Sequence, residues 1–176
     1  ITAQTCRQSG LSIIYMQLLC YEGDEMYFKN ERVLAGKTFK DAIFAYEAFQ
    51  PLHPRNEAIP YVIYQIGRCY YDQIDTPDRD QTSAKKALET FQRLMQQFPQ
   101  DQYAVRAAEH IDTCQKSLAG HAYVVGVFYY RTKHYKAALH RFMTIISDYP
   151  DVGYHQKALE YIAKCEASIA KEEVQE

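Results

Sequence analysis

The chain has 176 residues with 20 Lys and Arg against 22 Asp and Glu, a formal net charge of -2, and is 47% hydrophobic and 24% charged. A chain of this size buries roughly 70% of its unfolded surface and needs no metal or disulfide framework to hold a core. The near-neutral balance offers nucleic acid no broad positive field, no apolar run reaches the ~18 residues of a membrane span, and 7 Gly with 6 Pro leave little room for the turns of an all-β fold.

The chain begins at Ile1, which points to a fragment, a processed product or part of a longer protein. Arg7 followed by Leu11 to Cys20 has the outline of an export signal ending in a lipid-accepting cysteine. Gln17 and Leu19 stand where such a signal carries an aliphatic and a small residue, so an ordinary amphipathic helix is the preferred reading. Residues 1–22 are expected as a separate N-terminal segment, 23–171 as a single helical-repeat domain and 172–176 as a tail. Cys6, Cys20, Cys69, Cys114 and Cys165 are widely spaced and odd in number, with no C-x-x-C pair, which predicts free thiols. The last three fall in helical patterns as small apolar filler.

Three copies of one pattern follow, built on Ala42, Ala87 and Ala138. In each copy Ile or Leu comes directly after the Ala, an aromatic four residues after it, and Pro twelve after it, at Pro54, Pro99 and Pro150. The second copy carries Ala84, Ala87, Leu88, Phe91, Leu94, Met95 and Phe98, and the third Tyr135, Ala138, Leu139, Phe142, Ile145, Ile146 and Tyr149. The first holds Phe39, Ala42, Ile43, Tyr46 and Phe49, then lapses at Gln50 and His53. These are one-face stripes of amphipathic helices that a proline terminates.

Each such helix needs a preceding partner. Met26, Asn30 and Val33 make a weak one for the first copy. For the second, Ile63, Gly67 and Tyr70 match Ala122, Gly126 and Tyr129 before the third, each Gly marking a close helix approach. Gly67 to Ala87 is twenty residues where Gly126 to Ala138 is twelve, which predicts an inserted loop over Asp72 to Thr82, with Asp80 or Thr82 capping the next helix. Unbroken apolar spacing from Ala104 to Tyr129 predicts one helix from about 103 to 131, roughly 43 Å long, with Gly120 inside it. Ala158, Leu159, Ile162, Cys165 and Ile169 form the stripe of a closing, capping helix. The expected fold is an all-α solenoid of antiparallel helix hairpins.

Gly126, Tyr129, Ala138, Phe142 and Pro150 resemble the tetratricopeptide repeat (TPR) signature, although successive copies lie 45 and 51 residues apart rather than about 34. Ala42 to Tyr46, Leu52-His53-Pro54, Asp78 to Thr82 and Leu118 to His121 together resemble the BamD family of outer-membrane assembly lipoproteins over residues 36–170. That resemblance implies a non-catalytic scaffold at the periplasmic face of the outer membrane. It would bind unfolded β-barrel precursors by an aromatic-rich signal, dock on the POTRA domains of the barrel-shaped subunit, and use no cofactor.

Beside the Ile63/Gly67/Tyr70 stripe lie Tyr61, Tyr64, Arg68 and Tyr71, and Tyr123, Tyr130 and Arg131 occupy the matching face of the third repeat. Rings with a polar tip beside a guanidinium suit an extended peptide carrying aromatics and a carboxylate. Inter-repeat packing by tall Tyr side chains accounts for the same pattern equally well. Arg141 flanks the Ala138/Leu139/Phe142 stripe and is the candidate partner-docking residue, or else a solvated arginine.

For an enzyme the sequence offers little. His110 and Cys114 have metal-ligand spacing with no second pair, Asp72, Asp75, Asp78 and Asp80 lack a calcium-loop register, and no Gly-rich phosphate loop or Gly-x-Ser-x-Gly turn occurs. No catalytic or metal-binding residue is therefore assigned. The competing non-enzymatic reading is a cytoplasmic TPR adaptor for a partner's peptide tail, which free thiols favour.

Overall fold

A computed structural model describes residues 32–173. The export-signal outline, Cys6, Cys20, Met26, Asn30 and the last three residues lie outside that range. Six helices occur among the described residues: α1 Arg32–Leu52, α2 Ile59–Tyr71, α3 Thr82–Gln97, α4 Gln102–Arg131, α5 Tyr135–Asp148 and α6 His155–Glu173. The fold is all-α and TPR-like. Val33 belongs to the same helix as Phe39, which removes it from the separate partner expected with Met26 and Asn30, two residues that lie outside the described range; Gly36 between Val33 and Phe39 meets nothing within 4 Å among the described residues. α4 runs 30 residues with Gly120 inside it, as its continuous stripe predicts.

The chain forms two compact units. The first includes α1, α2, the part of α3 from Lys86, and α4 as far as His110. Here α1 packs on α2, burying Phe39, Ala42, Ile43, Tyr46 and Phe49 from one and Val62, Ile63 and Ile66 from the other. Gly67 admits Phe91 so closely that a Cβ would fall inside contact distance of three ring atoms. α3 stops before Pro99 and α5 before Pro150, because the residue ahead of a proline is pushed out of helical geometry.

The second unit holds Ile74–Lys85, the rest of α4, and α5 and α6. α5 packs on α6 around Ala119, Ala122, Ala138, Phe142, Ile145, Ala158 and Cys165. Gly126 repeats the role of Gly67, a Cβ there coming 2.8 Å from the Phe142 ring. Gly120 faces Pro77 and Tyr154, which seats the inserted loop on α4.

The loop itself is pinned by Gln81, only 5% exposed. Its Nε2 donates to the carbonyls of Thr76 and Arg79, both at 3.1 Å, and its Oε1 accepts from Ser117 Oγ at 2.7 Å. His121 Nδ1 donates to the Pro77 carbonyl at 2.6 Å. The backbone carbonyl of Gln81 accepts from Lys85, so Gln81 and not Asp80 or Thr82 opens α3. The Thr82 hydroxyl donates to Asp80 Oδ1 at 2.9 Å.

Other expectations change with packing. Leu159 is 56% exposed and Met95 is exposed too, because the helices that cover their stripes reach only part of each. Cys114 and Cys165 are buried free thiols, while Cys69 is disulfide-bonded, which corrects the free-thiol reading there. Burial pushes the Cys114 thiol up to about 12, beyond the range of a reactive thiolate.

Candidate functional site

The structure divides the predicted groove residues between the two units. Tyr61, Tyr64, Arg68 and Tyr71 stand on α2, Tyr123, Tyr130 and Arg131 on α4, and Arg141 on α5.

In the first unit the aromatic set is closely packed. Tyr64 is 8% exposed, its hydroxyl hydrogen-bonded to His110 Nε2 at 3.1 Å and its ring against Phe91 and Tyr103. Tyr71 lies 4.5 Å from the His110 ring and edge-on to Phe91. Tyr61 meets Tyr103 edge-on at 5.2 Å, and its hydroxyl accepts from Gln65 Nε2 at 2.8 Å. Arg68 donates two bonds to Asp72, at 3.0 and 3.1 Å, with its Nε buried and unsatisfied. Its charge is partly spent on that pair. Burial, then the Arg68 charge, holds His110 below the usual imidazole range.

The second unit gathers another set around Tyr161. That ring stacks on Phe142 at 4.8 Å and meets Tyr123 and Tyr130 edge-on at 5.8 and 5.3 Å. Lys164 Nζ lies 4.9 Å from its centroid, a cation–π contact, and Tyr154 and Tyr135 complete the cluster against Tyr123 and Tyr130. Burial, then the neighbouring Tyr161, raises the Tyr123 hydroxyl. Arg131, in the last turn of α4, and Arg141 are exposed. Half-buried rings with cations at their border offer aromatic and carboxylate recognition and no nucleophile or acid–base pair.

Tyr103, Tyr154 and Tyr161 join these clusters without a signal in the sequence. His110 carried a signal, its four-residue spacing from Cys114, but that spacing suggested a metal and not a tyrosine partner. No group of three His, Cys, Asp or Glu able to hold a metal occurs among the described residues. No described helix is long and apolar enough to cross a membrane.

Residues 32–176 match the family model described as YfiO, outer membrane lipoprotein. The chain belongs to the YfiO family. A second model, Castor and Pollux, part of voltage-gated ion channel, matches residues 1–55, less than a third of the chain. Among curated relatives, the outer membrane protein assembly factor BamD of Caulobacter vibrioides is 30% identical over 70% of this chain and 41% of its own length. The BamD of Rickettsia prowazekii is 29% identical over 79% of this chain and 57% of its own. That of Neisseria meningitidis serogroup A is 27% identical over 90% of this chain and 57% of its own. This YfiO-family chain thus spans about half the length of the curated relatives it matches.

Proposed function

We propose that the chain is a non-catalytic scaffold of the outer-membrane β-barrel assembly machinery, acting at the periplasmic face of the outer membrane. The observation that carries this reading is the YfiO match, which takes in every described helix. In this role Tyr123, Tyr130 and Arg131 of the second unit, and separately Tyr61, Arg68 and Tyr71 of the first, contact unfolded barrel precursors, while buried Tyr64 serves packing and Arg141 docks the POTRA-bearing subunit. Exposed Arg131 and Arg141 fit these tasks because each keeps its planar donor fork available.

Fluorescence anisotropy with a labelled C-terminal peptide of a barrel precursor tests the reading. Wild type should bind, and Tyr130→Ala with Arg131→Ala should weaken binding at least about tenfold, by loss of an aromatic and a charged contact. Arg141→Glu should lower co-purification with POTRA domains. A wild-type chain that binds neither the peptide nor POTRA domains would sink the proposal.

A further inference from the structure

Between Asp112 and Asp148 the sequence holds no acidic residue, yet Lys116, Arg131, Lys133, Lys136 and Arg141 all fall there. The cations there are at about the chain's average density, so it is the lack of acidic residues that leaves the stretch positive in a chain of net charge -2. Four of them, Arg131, Lys133, Lys136 and Arg141, are exposed at or near the turn between α4 and α5, together with His134 and His140. None has a carboxylate partner among the described residues.

The turn is tightly closed. His134 N–H donates to the Tyr129 carbonyl at 2.9 Å, Lys133 N–H to the Tyr130 carbonyl at 3.1 Å, and the Thr132 hydroxyl to the Phe128 carbonyl at 3.0 Å. Lys133 holds the left-handed position at φ 63°, where glycine is the usual occupant. A backbone strain that glycine would avoid is thus kept together with a cation. α4 enters this turn with two exposed apolar side chains, Val124 at 42% and Phe128 at 62%. They are four residues apart and so share a helix face, and Arg131 follows Phe128 by three on the same side.

We propose that the α4–α5 turn is a contact site for an anionic lipid surface. Phe128 and Val124 enter the boundary between headgroups and acyl chains, and Lys133 and Lys136 pair with headgroup phosphates. Exposed apolar side chains bordered by exposed cations, with no acidic residue between Asp112 and Asp148, match the chemistry of an anionic bilayer surface, which takes apolar groups at its acyl boundary and cations at its headgroups. The contact is peripheral and weakens with ionic strength, because exposed charges are screened. It goes beyond the scaffold reading and does not require a precursor or a POTRA partner.

Co-sedimentation of the purified chain with vesicles tests it. The chain should pellet with phosphatidylcholine vesicles containing phosphatidylglycerol, remain in the supernatant with phosphatidylcholine alone, and be released by added salt. Each cation near such a surface is worth about a fivefold gain in binding, so Lys133→Glu with Lys136→Glu should weaken it at least about 25-fold. Phe128→Ser should weaken binding without removing its salt dependence. All three side chains are exposed, so thermal unfolding of the variants should match wild type. Equal pelleting on neutral and anionic vesicles, or unchanged binding by the double variant, overturns the inference. So does a wild-type chain that ignores vesicles but is captured by polyglutamate through the same lysines, an outcome that reassigns the turn to a protein partner.

Discussion

Glycine is the residue at which the repeat is most exacting. Gly67 and Gly126 stand in corresponding places, each closed over by the aromatic that comes four residues after the repeat Ala. Gly→Ala inside a helix normally stabilises by about 1 kcal/mol. At Gly126 the added methyl would meet the Phe142 ring at 2.8 Å, and overpacking of that kind costs about 1–3 kcal/mol. Gly36 lies in α1 with open space around it among the described residues. Gly36→Ala should therefore raise the urea midpoint and Gly126→Ala lower it. Equal signs for the two would refute the close-approach account. The role of these glycines was legible in sequence because the match between Gly67 and Gly126 places them at one point of the repeat. The exposure of Leu159 was not, since a stripe shows which face is apolar and not how much of it a neighbour covers.

Among the elements, the inserted loop shows how a polar side chain can organise a segment with little apolar content. Its length was predictable from the unequal spacing of Gly and Ala in the two repeats. Its anchor was not, because Gln81 gains its meaning from Ser117, 36 residues away. Gln81→Ala removes three hydrogen bonds at a nearly buried site, at an expected cost of about 1–3 kcal/mol. The Arg79 amide, which donates to the Thr76 carbonyl at 3.0 Å, should then exchange faster with solvent while total helicity stays level. Unaltered Arg79 exchange would show that Pro77, Gly120 and Tyr154 suffice to seat the loop. The capping expectation failed because the first helical bond is accepted by the Gln81 carbonyl, which makes Gln81 the residue that opens the helix.

For the whole molecule, global stability should depend on His110. Burial, then Arg68, depresses its folded pKa below the ordinary 6.5, with Glu109 opposing weakly. As pH falls through 6.5 the unfolded chain takes up this proton first, so stability drops until the folded imidazole is protonated as well. Unfolding followed between neutral and mildly acidic pH should show this loss in wild type and a flatter profile in His110→Gln. An identical slope in the variant would remove His110 from the account. The amino-acid order alone determined the helical class, the long α4, the proline stops and the glycine contacts, because these rest on periodicity and on steric rules acting within a few residues. Only the tertiary structure decided which tyrosines are spent on packing and which cations keep open donors. Tyr64 meets His110 across 46 residues, and Tyr161 on α6 meets Tyr123 on α4 with the whole of α5 and two turns between them in the chain. Contacts of that range depend on where whole helices come to rest, and no local pattern in the chain encodes the distance between two side chains on different helices.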